Sequence, residues 1–439
     1  KTLMSVIESN YILSAFLIVL WVITLIWYQR KNKNFDAGSF IIVMYIIYAV
    51  FSIMTINDDS IPQLTNYEPL TLFPYLYLYV MMMIALTPAI YHHTNSTDSI
   101  EYPQSNILRI IATIIIVVAI LNLPGIVSDF RNGLMSIFTD AEAGKKAYME
   151  QIDNASNVGG AIRNIPAILF NSFSDIGIFL LFYFMTMNKK NHKIIYGLLF
   201  ANVINLIMPV MRGQRSGVAL AFLTIICGYF LFKQYLSKRL NKVIKKIGIV
   251  FIAIITLPVA AITISRFGSE KAGVATFINW YIGQGNIYFN NHALDDNGLR
   301  YGDRTLNLFK RLVDSKTSMN YVERREIYSK LKINDEVFST FVGDFTIDFG
   351  PFFAVIIFIV FNFFVIYSFQ KNKTNNNKIK LHQLLLLYFT VCISAQGGMY
   401  LFSYSDTRNL NIIVLALLYY YLKYHEALLE KFPLKKQNK

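Results

Sequence analysis

Residues 194–236 read IIYGLLFANVINLIMPVMRGQRSGVALAFLTIICGYFLFKQYL. Two apolar runs, at about 194–210 and 216–236, flank the short stretch Arg212-Gly213-Gln214-Arg215-Ser216-Gly217. As helices, both runs are long enough to cross a hydrocarbon core of roughly 30 Å. The stretch between them is too short to leave the membrane surface, so the whole reads as a bilayer-spanning helical hairpin. Its turn carries two permanent positive charges. Arginine near a membrane edge is unfavourable unless something anionic meets it, so this turn asks for an explanation that the spans do not.

The rest of the chain repeats the apolar pattern. Of its 439 residues 54% are hydrophobic and 15% charged, with mean hydropathy +0.42. A soluble protein carries roughly a quarter charged residues. Eleven spans follow from the runs, at about 7–28, 39–56, 71–90, 107–124, 166–187, 194–210, 216–236, 247–265, 342–369, 381–401 and 409–425. The fold class is therefore all-α, a polytopic helical membrane protein. So many runs exclude a cleaved signal peptide as the sole hydrophobic feature. Three parts result: 1–265 with the first eight spans and a connection at 125–165, a long loop at 266–341, and 342–439 with the last three spans and a tail.

A net charge of +14 would point to nucleic acid in a soluble protein. Here the basic residues gather in alternate short connections, which is how membrane proteins set orientation. Arg30, Lys31 and Lys33 follow the first span, and Lys189, Lys190 and Lys193 the fifth. Lys238, Arg239, Lys242, Lys245 and Lys246 follow the seventh, Lys371 to Lys380 the ninth, and Lys431 to Lys439 the last. With eleven spans all five fall on one side, which the positive-inside rule makes cytoplasmic. The N-terminus is then outside and the C-terminus cytoplasmic. The 91–106 connection is thin evidence, offering His92 and His93 before Arg109.

On this topology Arg212 and Arg215 face outward. A guanidinium matches phosphate oxygens two at a time. Gly213 and Gly217 would let backbone N–H groups approach, and the N-terminus of the following span favours an anion. The alternative is that the arginines snorkel to headgroups or pair with an aspartate on a neighbouring span. Arg266 closes the eighth span on the same side, with interfacial snorkelling as its own alternative. Arg408, beside Asp406, reads as half of a local ion pair.

Asp344 and Asp348, four apart in Gly343-Asp344-Phe345-Thr346-Ile347-Asp348-Phe349-Gly350-Pro351, share a helical face at the outward edge of the ninth span. There they could take a proton from a hydroxyl, or serve as counter-ions to Arg266 or Arg212. Gly350-Pro351 should distort the helix and free backbone groups for a polar cavity. The 266–341 loop holds Asn279-Trp280-Tyr281-Ile282-Gly283-Gln284-Gly285 and Asn290-Asn291-His292. Aromatic faces beside amides hold sugars, so Trp280, Tyr281, Gln284 and Asn291 are glycan-binding candidates, although aromatics also belong at membrane interfaces. His292 is a candidate base. Leu306, Leu308, Phe309, Leu312 and Val313 form an amphipathic stretch, so the loop reads as a lid of interfacial helices. A second such helix is expected near Phe130, Leu134, Ile137 and Phe138. No metal-ligand spacing or Walker or Rossmann glycine pattern is present, so no cofactor is expected. Cys227 and Cys392 both lie in spans and offer no disulfide framework.

Many spans, the outward Gly213–Ser216 turn with its arginine, the Tyr281-Ile282-Gly283 loop and the Asp348-Phe349-Gly350 entry together resemble the oligosaccharide repeat-unit polymerases. These are the Wzy-type O-antigen and capsule polymerases of bacteria. The resemblance covers the general plan and roughly residues 205–355, on short motifs. It implies a GT-C-like membrane glycosyltransferase in the cytoplasmic membrane that extends a glycan carried on undecaprenyl diphosphate by moving it to a hydroxyl of the next lipid-linked unit. Arg212, Arg215 and Arg266 would hold the diphosphate, and Asp348, Asp344 or His292 would orient or deprotonate the acceptor. A chain-length regulator and a flippase would be its partners. A lipid-linked oligosaccharide flippase and an O-antigen ligase are the alternatives.

Overall fold

In a computed structural model the described residues are 5–31, 34–56, 69–94, 98–103, 106–126, 165–211, 215–267, 273–294, 299–314, 327, 338–370, 378–399 and 406–431. They are overwhelmingly helical. In chain order these are α1 (Val6–Lys31), α2 (Ala37–Thr55), α3 (Leu72–Thr94), the strand β1 (Ser99–Glu101), α4 (Ile107–Leu121), α5 (Ile165–Ser172), α6 (Ser174–Thr186), α7 (His192–Met211) and α8 (Arg215–Phe232). Then come α9 (Lys238–Phe267), α10 (Gly273–Tyr288) continued by a π turn at Phe289–Ala293, α11 (Asn307–Val313), α12 (Thr340–Gln370), the strand β2 (Lys378–Lys380), α13 (Leu381–Gly397) and α14 (Asp406–Lys431).

Among the described residues seven helices are long and apolar enough to cross a membrane: α1, α2, α3, α4, α7, α8 and α12. An eighth crossing is added if α5 and α6, bent by 51° at their junction, form one span. The chain is thus an all-α polytopic membrane protein. α9, α13 and α14 fall in the remaining expected intervals without meeting that criterion.

For α13 the reason is its surroundings. It packs against α2, α3, α8, α12 and α14, and all but Phe389 and Ile393 of its residues are buried. A helix wrapped in protein needs no lipid-facing surface, so it can carry His382, Gln383, Ser394 and Gln396. By contrast α1, α4 and α12 keep less than a third of their apolar windows buried and present Val19, Ile23, Ile114, Phe352 and Phe363 outward.

Neighbours are fixed by buried polar contacts as well as by packing. The Ser14 and Tyr75 hydroxyls meet at 3.1 Å and those of Thr24 and Tyr79 at 2.7 Å, joining α1 to α3. Tyr48 donates to the Ala395 carbonyl, joining α2 to α13. At one end Asp36 caps α2 in a reciprocal capping box with Ser39 and accepts from Tyr28. At that same end β1 pairs in parallel with β2, Ile100 opposite Ile379. This pairing joins the 91–106 connection to the Lys-rich one before α13.

The 266–341 segment differs from the expected lid. Residues 273–293 form a helix packed along α2 inside the bundle. Gly283 makes this possible: a Cβ there would lie 2.4 Å from the Phe51 carbonyl carbon and oxygen. Ser52 closes the contact by donating to the Gly283 carbonyl at 2.6 Å. Seven-residue α11 keeps Leu312 and Val313 exposed. The helix expected around Phe130–Phe138 lies outside the described residues.

Candidate functional site

The candidate site is the end of the bundle opposite the β1–β2 pair, and it is built around a break in α12. Gly350 adopts φ 81°, ψ 159°, a conformation that only glycine enters easily. Pro351 follows and has no N–H to return to the Ile347 carbonyl. The break frees the carbonyls of Ile347 and Asp348, as the Gly-Pro pair implied. They are taken by the chain itself: Arg300 N donates to Ile347 at 3.2 Å and Tyr301 N to Asp348 at 2.9 Å.

These bonds dock residues 299–314 against α12 as a strap. Tyr301 and Gly302 turn it through positive φ, at 50° and 82°. The Asp348 carboxylate then accepts three bonds, from Arg304 N at 3.1 Å, Thr305 N at 2.8 Å and the Thr305 hydroxyl at 2.7 Å. One helical turn earlier, Asp344 Oδ1 accepts from Arg304 Nε at 2.9 Å and Nη2 at 2.7 Å. Arg304, Asp344 and Asp348 are 1%, 2% and 0% exposed. Lys310 bridges to Asp303 at 3.2 Å. On its other edge the strap is joined to α14: Arg311 and Asn307 both meet Asp406, and Asn409 bonds Leu308 N and the Thr305 carbonyl.

A second polar group lies across α14. Arg408 pairs with Asp175 of α6 through Nη1 at 3.2 Å, and its Nη2 donates to Gln396 of α13 at 3.1 Å. Gln396 in turn donates to the Leu220 carbonyl of α8 at 3.1 Å. The local pair expected between Arg408 and Asp406 does not form. Asp406 and Asn409 face the strap, while Arg408, two residues after Asp406, turns to the other side of the helix.

The residues singled out from sequence are distributed as follows. Arg212 lies outside the described residues. Arg215 opens α8 and Arg266 sits in the last turn of α9, with both side chains outside the described part. Asp344 and Asp348 share a face as expected, and among the described residues they meet the strap, Asp344 through the Arg304 side chain and Asp348 through Arg304 N and Thr305. Both are closed inside the strap, so neither carboxylate presents an edge to an incoming hydroxyl. His292 sits half-buried in the π turn, its ring 4.6 Å from that of Tyr288.

The glycan-binding candidates are on α10 and its π turn. Gln284 is buried and accepts from Phe338 N at 3.1 Å, and Tyr281 packs edge-on to Phe338 at 5.0 Å. Both therefore steer the chain into α12. Trp280 and Asn291 are half-buried. Asn290, quoted with Asn291, brackets Thr71 through both its backbone groups.

Arg300, Asp303, Arg304, Thr305, Asp175, Gln396, Asp406 and Asn409 were not foreseen as members of one site. The signal available was the density of charge in Arg300-Tyr301-Gly302-Asp303-Arg304-Thr305, around a Tyr-Gly pair suited to a tight turn. Among the described residues no three His, Cys, Asp or Glu side chains converge as metal ligands would.

Comparison with known protein families, curated proteins and solved structures finds no match to this chain. The class stated by the fold, a polytopic all-α membrane protein, therefore rests on the chain's own helices.

Proposed function

We propose that the protein is a membrane glycosyltransferase that polymerises lipid-linked oligosaccharide repeat units at the outer face of a bacterial cytoplasmic membrane. The reading takes eleven spans, with α9, α13 and α14 crossing and the capped, strand-paired end of the bundle inside. One observation carries it: all four salt bridges among the described residues gather at the opposite end, the end at which α8 begins with Arg215. A helical membrane protein concentrates buried charge where it handles charged or polar substrates. A lipid diphosphate supplies an anion at that depth while its tail stays in the bilayer.

In the reaction the acceptor hydroxyl oxygen bonds to the anomeric carbon of the growing glycan, and the bond from that carbon to the diphosphate oxygen breaks. Negative charge grows on the leaving undecaprenyl diphosphate. Arg212 and Arg215, with Arg266 as a further contact, neutralise it, which lowers the barrier if they bind the leaving group more tightly than the intact donor. Asp344 and Asp348 hold the strap that shapes the site. Of the three proton acceptors considered, His292 alone is half-buried and the two aspartates are fully buried, and His292 takes the hydroxyl proton. Trp280, Tyr281 and Asn291 border the glycan path.

The test uses purified protein with lipid-linked repeat units, scored for products of two or more units on lipid. Arg212→Ala and Arg215→Ala should each abolish the ladder and leave single lipid-linked units accumulating, with the protein still in the membrane. If both variants give ladders of unchanged length and yield, the diphosphate assignment fails. Movement of the lipid-linked unit across the bilayer without bond formation would replace the polymerase with a flippase.

A further inference from the structure

α12 and α14 both pack against α13, yet among the described residues they scarcely touch each other. The strap ties them at one end, through Asp344 and Asp348 of α12 and Asp406 and Asn409 of α14. Further along both helices the rings of Phe364 and Tyr419 meet at 6.1 Å. Between these two ties lies a cavity of about 200 Å³, walled by α12, α13 and α14 with Ala85 of α3 beside them. Every residue of α13 is buried except Phe389 and Ile393, and both of those line this cavity.

The wall is suited to hydrocarbon and to little else. Its three polar residues donate to backbone carbonyls: Asn362 to Phe358 at 2.7 Å, Thr390 to Leu387 at 2.8 Å and Ser394 to Ala85 at 3.2 Å. The remaining lining is Phe, Ile and Ala. A buried water needs about two to four polar partners, and an apolar cavity of roughly 150 Å³ stays dry and takes benzene. A gap with no atoms in it forfeits the dispersion contacts of everything around it. Ile357 and Phe361, on the α12 wall, lie near the middle of the Thr340–Phe369 span. Beside them Ile356, Ile359 and Val360 are exposed on the outer surface of the same helix. At that depth the surrounding medium is the acyl chains of the bilayer.

We propose that this cavity is a binding site for one acyl chain of a membrane phospholipid, inserted between α12 and α14 and resting on Phe389 and Ile393 of α13. The chain enters from the bilayer past Ile357 and Phe361. It supplies the packing that α12 and α14 do not give each other between the strap and the Phe364–Tyr419 contact. The inference uses the fold alone, and it stands whether or not the protein is a glycosyltransferase.

The experiment places the full chain in phosphatidylglycerol nanodiscs doped with phosphatidylglycerol that carries a diazirine midway along one acyl chain. After irradiation, adducts are mapped by mass spectrometry. They should fall on Phe389 and Ile393 as well as on the outward residues of α12, such as Ile359 and Val360, which serve as the internal reference. Adducts on α12 with none on α13 overturn the site. Ala85→Leu enlarges a side chain on the cavity wall and should cut the α13 adducts by about tenfold relative to those on α12, the effect of shutting a few methylene groups out of a packed site. Should Ala85→Leu fail to assemble, Ile412→Phe makes the same test from α14. Adducts on α13 that survive the filling substitution undiminished show that the label reaches α13 by another route, and they overturn the site. Loss of the α13 adducts on adding an equal amount of a polyprenyl phosphate would assign the cavity to an isoprenoid chain and overturn the phospholipid.

Discussion

Two arginine–aspartate pairs lie at the same end of this bundle, on opposite faces of α14, and they are built differently. Arg304 and Asp344 are dry, share two hydrogen bonds and lie one turn from a second carboxylate that accepts three more. Arg408 and Asp175 meet end-on at 3.2 Å and keep some exposure. A buried pair whose members are fully satisfied is a clasp: removing either member leaves a bare charge. A longer pair with some exposure is partly relieved by solvent when one member is removed. The contrast separates a pair sealed in a dry interior from one that solvent reaches.

The largest effect should come from breaking the clasp. Arg304→Ala strands the Asp344 carboxylate in a dry interior, and losing one member of a buried pair destabilises by roughly 3–5 kcal/mol. Denaturant unfolding in detergent should show it. Replacing both members with apolar residues, Arg304→Met with Asp344→Leu, should recover most of that stability. If the single and double variants lose stability equally, the pair is not the isolated clasp described here.

Asp348→Ala comes next. Three donors lose their acceptor, two of them backbone N–H groups, and each stranded buried group costs about 1–3 kcal/mol. The strap should loosen locally. Amide exchange should rise through 299–314 and the first turns of α12 while staying protected in α7 and α8. Exchange that rises evenly over the whole chain would mean that Asp348 supports the bundle and not the strap.

Gly350→Ala tests the backbone beneath both. A Cβ on Gly350 would make only an ordinary contact with Leu299, at 3.4 Å, so the penalty is conformational. A non-glycine residue held there costs about 1–3 kcal/mol. A variant that unfolds like the wild type would show that α12 can straighten and the strap can dock without the two freed carbonyls.

These elements also show what could be read from the sequence. The spans were legible because a lipid-facing helix must be continuously apolar, as 194–210 and 216–236 are. The break at Gly350-Pro351 was legible because the chemistry of the two residues is local. The pairing of Asp344 and Asp348 with residues some forty positions earlier was not, since helical spacing says which residues share a face and nothing of what arrives there. Likewise Asp406 and Arg408 looked like partners because they are close in sequence, yet on a helix residues two apart diverge. The 273–293 segment looked like a loop because Asn, Gln, Gly and aromatic residues fill it. Its glycines serve close helix packing instead, which is how helices associate in membranes.

The smallest stability effect, and the sharpest test of the opening contrast, belongs to Arg408→Gln. Glutamine can still reach toward Gln396 but gives up the charge. If the longer and more exposed Arg408–Asp175 pair is the weaker of the two, the loss should be that of one ordinary polar contact, about 1 kcal/mol, several-fold below Arg304→Ala in the same denaturant series. Asp175 is 12% exposed on its side chain, so its charge is partly relieved by solvent and is not stranded as Asp344 would be. An Arg408→Gln variant as unstable as Arg304→Ala would make the second pair a clasp too, and the contrast between the two pairs would fail.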